Sequence, residues 1–140
     1  MTLDLLQINI HNNYGNRTIA DGVIPLMPNP SNRFTGRPEV ISKLKRHFFN
    51  MNDSAQKRKS FLLYGMGGIG KTQICLKFVE EMSDCFSFVF WIDASSIGTI
   101  TQGLKGICNL PAAQSCARLD GSPESALHWI GSLEENYIMV

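Results

Sequence analysis

Apolar residues along this chain recur with two different periods. Compact runs at 60–64 (SFLLY), 86–92 (FSFVFWI) and 137–140 (YIMV) have the composition of strands. Elsewhere the spacing is helical: Ile41, Leu44 and Phe48 beside Val40, then Ile74, Phe78, Val79 and Met82, then Ala126, Leu127, Ile130 and Leu133. Pro38 falls near the first turn of the first helix, where a missing N–H costs nothing, and Ser122-Pro123 supply a cap and first-turn proline for the last. Between them, residues 95–110 carry a weaker helical pattern interrupted by Gly98, Gly103 and Gly106. Strands alternating with helices imply an α/β fold with a parallel sheet.

Residues 1–32 read differently. LQINI could make a short strand, but HNNYGN and PLMPNPSN favour turns and linker, so 1–32 is expected to be a flexible leader before a domain over 33–140. Residues 50–59 are polar and read as a loop.

Composition supports a single globular unit: of 140 residues, 44% are apolar and 18% charged, too few charges for a disordered chain. The net charge of +1 argues against nucleic acid as a partner. It conceals an asymmetry, however. Residues 33–59 hold eight basic residues against two acids, whereas 119–140 hold four acids and no Lys or Arg. The four cysteines form no Cys-x-x-Cys pair and read as reduced thiols. The first ten residues lack a basic n-region and carry Asp4, unlike a secretory signal, and every apolar run is too short to span a bilayer. A cytoplasmic protein with no membrane partner is expected.

The chemistry concentrates at residues 65–72, GMGGIGKT, where Gly65, Gly70, Lys71 and Thr72 satisfy G-x-x-x-x-G-K-[ST] between an apolar run and a helical pattern. Glycines let such a loop turn its backbone N–H groups inward around phosphate oxygens, and the following helix adds its unpaired N–H groups. The phosphate set is Gly65, Gly67, Gly68, Ile69, Gly70, Lys71, Thr72 and Gln73. Lys71 would reach the β and γ phosphates, the Thr72 hydroxyl would ligate Mg²⁺, and Met66 and Ile69 would direct their side chains to packing. The bland alternative is a glycine-rich strand-to-helix turn with a solvated lysine.

The longer string FLLYGMGGIGKTQICLKFVEE resembles the phosphate loop of the NB-ARC branch of the STAND signal-transduction ATPases. RFTGRPEVISKLKRHF resembles the segment upstream of that loop, and FSFVFWIDASS the strand after its first helix, so the resemblance covers about residues 33–140. The Asn-rich leader with PNPSNRFTGR is most similar to fungal members. The resemblance implies a P-loop NTPase three-layer sandwich, incomplete at about three strands, and an ADP- or ATP-binding switch with Mg²⁺ that self-associates in full-length proteins. It places Phe34, Gly36 and Arg37 on the adenine and ribose side, Arg37 being alternatively a solvated helix-start residue. It implies that ENYIMV begins the Walker B strand and lies between SFLLY and the aromatic strand. With Val140 reached before that strand's acid, and no downstream arginine sensor, little hydrolysis is expected from this chain alone, and SFLLY is expected to present an open apolar edge. Competing readings are a small P-loop phosphotransferase, for which Lys105 and Arg118 are the only basic residues after Lys77, and a fragment that folds onto a partner.

Other residues have plainer readings. His11, His47 and His128 lack a second ligand nearby and read as surface or packed histidines. Lys57, Arg58 and Lys59 read as a solvated loop, Trp91 and Trp129 as core, and Cys75 as helix packing. Asp93 reads as a turn or cap residue.

Overall fold

The computed structural model describes residues 2–9, 27–50, 58–116 and 119–140. Among the described residues the regular elements follow in the order β1 (Thr2–Asn9), α1 (Pro38–Phe48), β2 (Arg58–Gly65), α2 (Lys71–Glu81), β3 (Phe88–Phe90), α3 (Ile97–Ile107), α4 (Pro111–Gln114), α5 (Pro123–Gly131) and β4 (Tyr137–Met139), with a 3-10 turn at Ser83–Cys85. The α/β class expected from the alternating periods is present.

Strand alternation divides the core in two. Val89, Ile138, Phe61 and Leu63 project to one face, where Ile41, Leu44 and Phe48 of α1 and Ile74 and Phe78 of α2 pack on them. Phe88, Phe90, Tyr137 and Met139 project to the other face, against Leu104 and Ile107 of α3 and Trp129 and Ile130 of α5. Trp129 meets Phe88 and Phe90 edge to face, at centroid distances of 5.6 and 6.1 Å. Phe48 and Phe78, both fully buried, bring their rings together between the two helices of the first face at a centroid distance of 5.8 Å. A salt bridge from Lys45 to Glu81, at 2.8 Å, ties the same helices at the surface.

Helix ends behave as the sequence indicates. Ser122 accepts a hydrogen bond from the Ser125 N–H at 3.1 Å, with Pro123 following it in the first turn of α5. Ser96 and Thr99 form a capping box that starts α3. The glycines do not interrupt α3, which runs from Ile97 to Ile107, and at Gly103 the helix lies so close to Ile92 that a Cβ would approach it to 3.3 Å.

Three features differ from expectation. The sheet order is β2-β1-β4-β3, with β3 and β4 parallel but β1 antiparallel to both β2 and β4. The sheet is therefore mixed, and β4 does not lie next to β2 as the family resemblance implied: β1 occupies that place. Alternation of strands and helices along the chain does not fix strand direction here: α1 lies between β1 and β2 in sequence, yet the two strands pair antiparallel. Second, within the segment read as a leader, Thr2–Asn9 is the strand that LQINI suggested, and Met27 packs against the α1–α2 core. Residues 10–26, with His11, lie outside the described residues. Third, the buried stripe of α5 is Ala126, Trp129 and Ile130, continued by Leu133 just past the helix end, while Leu127 is exposed; Trp129 is core as expected. Positions 126, 129, 130 and 133 fall at i, i+3, i+4 and i+7, a cleaner helical face than the one containing Leu127.

Of the segment 50–59 expected to be a loop, Arg58 and Lys59 belong to β2, and residues 51–57, with Lys57, lie outside the described residues. Lys59 is drawn into the fold, its Nζ donating to the Phe48 carbonyl at 3.2 Å at the C-terminal end of α1. A cation there meets unpaired carbonyls and the negative end of the helix dipole.

Candidate phosphate-binding site

The glycine loop leaves the end of β2 and turns directly into α2. Gly65 has φ 154°, Gly68 φ 80° and Gly70 φ 82°, and Gly70 is the left-handed residue that starts the helix. Only glycine takes such angles without strain, so the spacing read from the sequence corresponds to real backbone requirements. A Cβ at Gly65 would strike the Ile69 side chain at 2.5 Å, which shows that Ile69 folds back over the loop's start. At Gly67 and Gly68 a Cβ would meet nothing within 4 Å, so the loop borders open space.

Lys71, the first residue of α2, is 6% exposed. Its Nζ lies 3.2 Å from the Gly65 carbonyl and 2.8 Å from the Met66 carbonyl. The ammonium is thus folded back across the loop and held by neutral acceptors, and no carboxylate pairs with it among the described residues. No acid sits in the first turn of α2 either. A nearly buried ammonium held only by carbonyls, at the positive end of a helix, favours an anion as its third partner.

The remaining expected site residues divide. Phe34 belongs to the site geometrically: its ring edge lies 3.2 Å from where a Cβ on Gly70 would stand, and 3.8 Å from one on Gly36. Gly70 is therefore required both by its φ and by the ring. Gln73 uses its side-chain oxygen to accept a 2.7 Å hydrogen bond from the Ser31 N–H, which fastens residues 31–34 across the first turn of α2. Its amide side chain thus holds the chain segment above the loop. Thr72 is exposed in the same turn. Arg37 is exposed and starts α1 with φ 69° and ψ 49°, the one non-glycine residue with positive φ among the described residues. Its carbonyl accepts from the Val40 N–H at 3.0 Å, so its backbone has a structural task and its side chain remains in solvent.

The geometry fits the phosphate part of a nucleotide: an open glycine cradle, a helix N-terminus and a buried cation. For Mg²⁺ the sequence offers Thr72, and no group of three or more His, Cys, Asp or Glu side chains able to hold a metal occurs among the described residues. Asp93 lies apart from such a role. Its carboxylate accepts from the Ser95 N–H at 2.8 Å, and hydrogen bonds from Ser95 hold its pKa below the usual range, as suits the turn before α3.

Other residues settle into packing. The His47 Nε2–H donates to the Ser60 carbonyl, 2.8 Å away, with the ring against Phe48 and Phe61, a link from α1 to β2 that no periodicity signals. His128 is exposed. Cys75 is fully buried, and none of the four cysteines is in a disulfide. A cleft of about 220 Å³ lined by Met27, Pro30, Val79 and Phe86 lies toward the far end of α2 and does not include the glycine loop. No helix among the described residues is long and apolar enough to cross a membrane. Comparison of the chain with protein-family models, curated proteins and solved structures finds no match.

Proposed function

We propose that this chain is an ADP- or ATP-binding module of the STAND signal-transduction type, which holds the nucleotide's phosphates in the loop of residues 65–72 and acts as a switch element, not as a hydrolase. The observation that carries this reading is Lys71: an ammonium at 6% exposure, bonded to two loop carbonyls at 2.8 and 3.2 Å, with no carboxylate partner among the described residues. Phosphate oxygens would supply its counter-charge, and the loop's N–H groups and the α2 N-terminus would share the load. Mg²⁺, when bound with the nucleotide, supplies charge neutralisation between phosphates, with the Thr72 hydroxyl as the chain's ligand. Phe34 and Gly36 would border the base and ribose, continuing from the loop where the Phe34 ring covers Gly70. The wider assignment to NB-ARC proteins, with their self-association and cytoplasmic setting, rests on the three sequence strings.

The test is equilibrium binding of a fluorescent ADP analogue to the full chain and to Lys71→Ala. The wild type should bind, and removal of the cation should weaken binding by at least about tenfold, the equivalent of 1.4 kcal/mol. Equal binding by both proteins would overturn the proposal. Phosphate release from ATP that disappears in Lys71→Ala would replace the binding module by an ATPase.

A further inference from the structure

We infer that Gln73 is a positioning residue for the nucleoside half of the ligand: its carboxamide seats the turn of residues 31–34 so that the Phe34 ring stands over Gly70, and the site thereby prefers a nucleoside diphosphate to free pyrophosphate. The inference rests on the phosphate-binding reading of residues 65–72. It gives the Gln73 side chain a different task from the phosphate contact expected from its place next to Thr72. Gln73 lies in the first turn of α2, and its side-chain oxygen accepts from the Ser31 N–H at 2.7 Å, a bond between segments 42 positions apart in the chain.

Ser31 passes that position on to Phe34. Its carbonyl accepts from the Phe34 N–H at 3.0 Å, closing a four-residue turn, and its hydroxyl accepts from the Arg33 N–H at 3.3 Å within that turn. Through its N–H, carbonyl and hydroxyl, Ser31 thus links Gln73 to the backbone of Phe34. The Phe34 ring in turn lies 3.2 Å from where a Cβ on Gly70 would stand and 3.8 Å from one on Gly36. Packing alone holds it loosely, since Phe34 is only half-buried at the margin of the α1–α2 core. Just upstream, Asn29 and Pro30 line the cleft of about 220 Å³ with Val79 and Phe86, so the chain stands off α2 immediately before Ser31. The Gln73 bond is where it returns to the helix.

Backbone N–H groups and one ammonium read phosphate charge, and they offer pyrophosphate and ADP the same contacts. Discrimination must come from the rest of the nucleotide, and an aromatic ring fixed beside the glycine that starts α2 supplies flat apolar area for a ribose or base. A ring seated in advance spares the ligand the cost of ordering it. Freeing the turn therefore subtracts from nucleoside affinity and leaves phosphate affinity as it was.

The test is isothermal titration calorimetry of ADP and of inorganic pyrophosphate, at one Mg²⁺ concentration, into the full chain, Gln73→Leu and Gln73→Glu. The unaltered chain should bind ADP more tightly than pyrophosphate. Gln73→Leu keeps a side chain of similar size without the acceptor, and should lose about three- to tenfold in ADP affinity, the range of one neutral hydrogen bond, with pyrophosphate affinity unchanged. Its pyrophosphate binding also reports a folded loop. Gln73→Glu keeps an acceptor for the Ser31 N–H and adds negative charge near the phosphates, so both affinities should fall together while their ratio stays that of the unaltered chain. Equal losses for both ligands in Gln73→Leu, no loss for either, a ratio in Gln73→Glu as low as in Gln73→Leu, or an unaltered chain that binds pyrophosphate as tightly as ADP would overturn the inference and leave the phosphate-binding reading in place. Binding of neither ligand by the unaltered chain would remove that reading, and the inference with it.

Discussion

The two sides of β2 meet opposite fates although they alternate along one strand. Phe61 and Leu63 face α1 and α2 and join a core that includes Phe48, Phe78 and Cys75, each at most 1% exposed. Leu62 and Tyr64, one residue away, are among the most exposed large apolar residues described. The difference lies in coverage: the α1–α2 layer reaches β2, the α3–α5 layer does not. A run such as SFLLY fixes that a strand forms; whether it is covered once or twice depends on elements far away in sequence. Parallel α/β sheets are ordinarily buried on both faces, so the uncovered face marks where this unit differs from a closed sandwich.

The sharpest way to break the comparison is to empty the covered side. Phe78 is fully buried and packs on Phe48 at a centroid distance of 5.8 Å. Phe78→Ala should cost about 3–5 kcal/mol through lost burial and the cavity left behind. In a small domain with one exposed sheet face, that approaches the whole stability. Chemical denaturation followed by circular dichroism should show the variant unfolded or with a much lower midpoint. A shift equivalent to less than about 1 kcal/mol would show that the α1–α2 face is not the folding core.

At the other layer, the α5 cap tests whether the α3–α5 side is equally well specified. Ser122→Ala removes the acceptor for the Ser125 N–H and should cost about 1 kcal/mol. The same serine acts on Asp120, whose carboxyl is held down to about 2, first by the Ser122 side chain and then by the Ser122 backbone N–H at 2.9 Å. The sign follows from linkage. A carboxyl lowered in the folded state adds stability that is fully present above its unfolded value of 3.8 and is lost as pH falls toward 2. An NMR titration of Asp120 should therefore show a midpoint well below 3.8, moving upward in Ser122→Ala. An unchanged midpoint would remove the serine from its cause.

How much of this was legible in the sequence depends on how local each feature is. The backbone of the glycine loop was legible, since Gly65 and Gly70 act within one turn of chain and their φ values follow from spacing, whereas the packing expected of Met66 and Ile69 was not, both side chains being exposed. Helix α1 was legible because Ile41, Leu44 and Phe48 share one stripe and all three are buried. The insertion of β1 between β2 and β4 was not, because pairing partners in a sheet are chosen by register across long separations. Trp129 was legible as core, but the exposure of Leu127 was not, because it depends on Phe88 and Phe90 lying beneath the Trp129 side of α5. The contacts of Phe34 with Gly70 and of Ser31 with Gln73 bring distant segments to the loop, and no short-range signal encodes them.

The smallest expected effect on stability comes from the uncovered side, and it separates exposure from stability most directly. Tyr64→Thr puts a β-branched residue of good strand propensity in place of a ring that is 71% exposed. If the face is open in solution, the ring buries little area on folding, and the change should fall within about 0.5 kcal/mol of the unaltered chain. Its effect on association should run the other way, because an exposed apolar edge strand is a template for pairing. The unaltered chain should therefore aggregate on heating at concentrations where Tyr64→Thr, and more so Leu62→Thr with Tyr64→Thr, melts with higher reversibility at nearly the same temperature. Light scattering during the melt reads the two effects in one experiment. A loss of more than about 2 kcal/mol in Tyr64→Thr would mean that something covers this face in solution, and the contrast between the two sides of β2 would disappear.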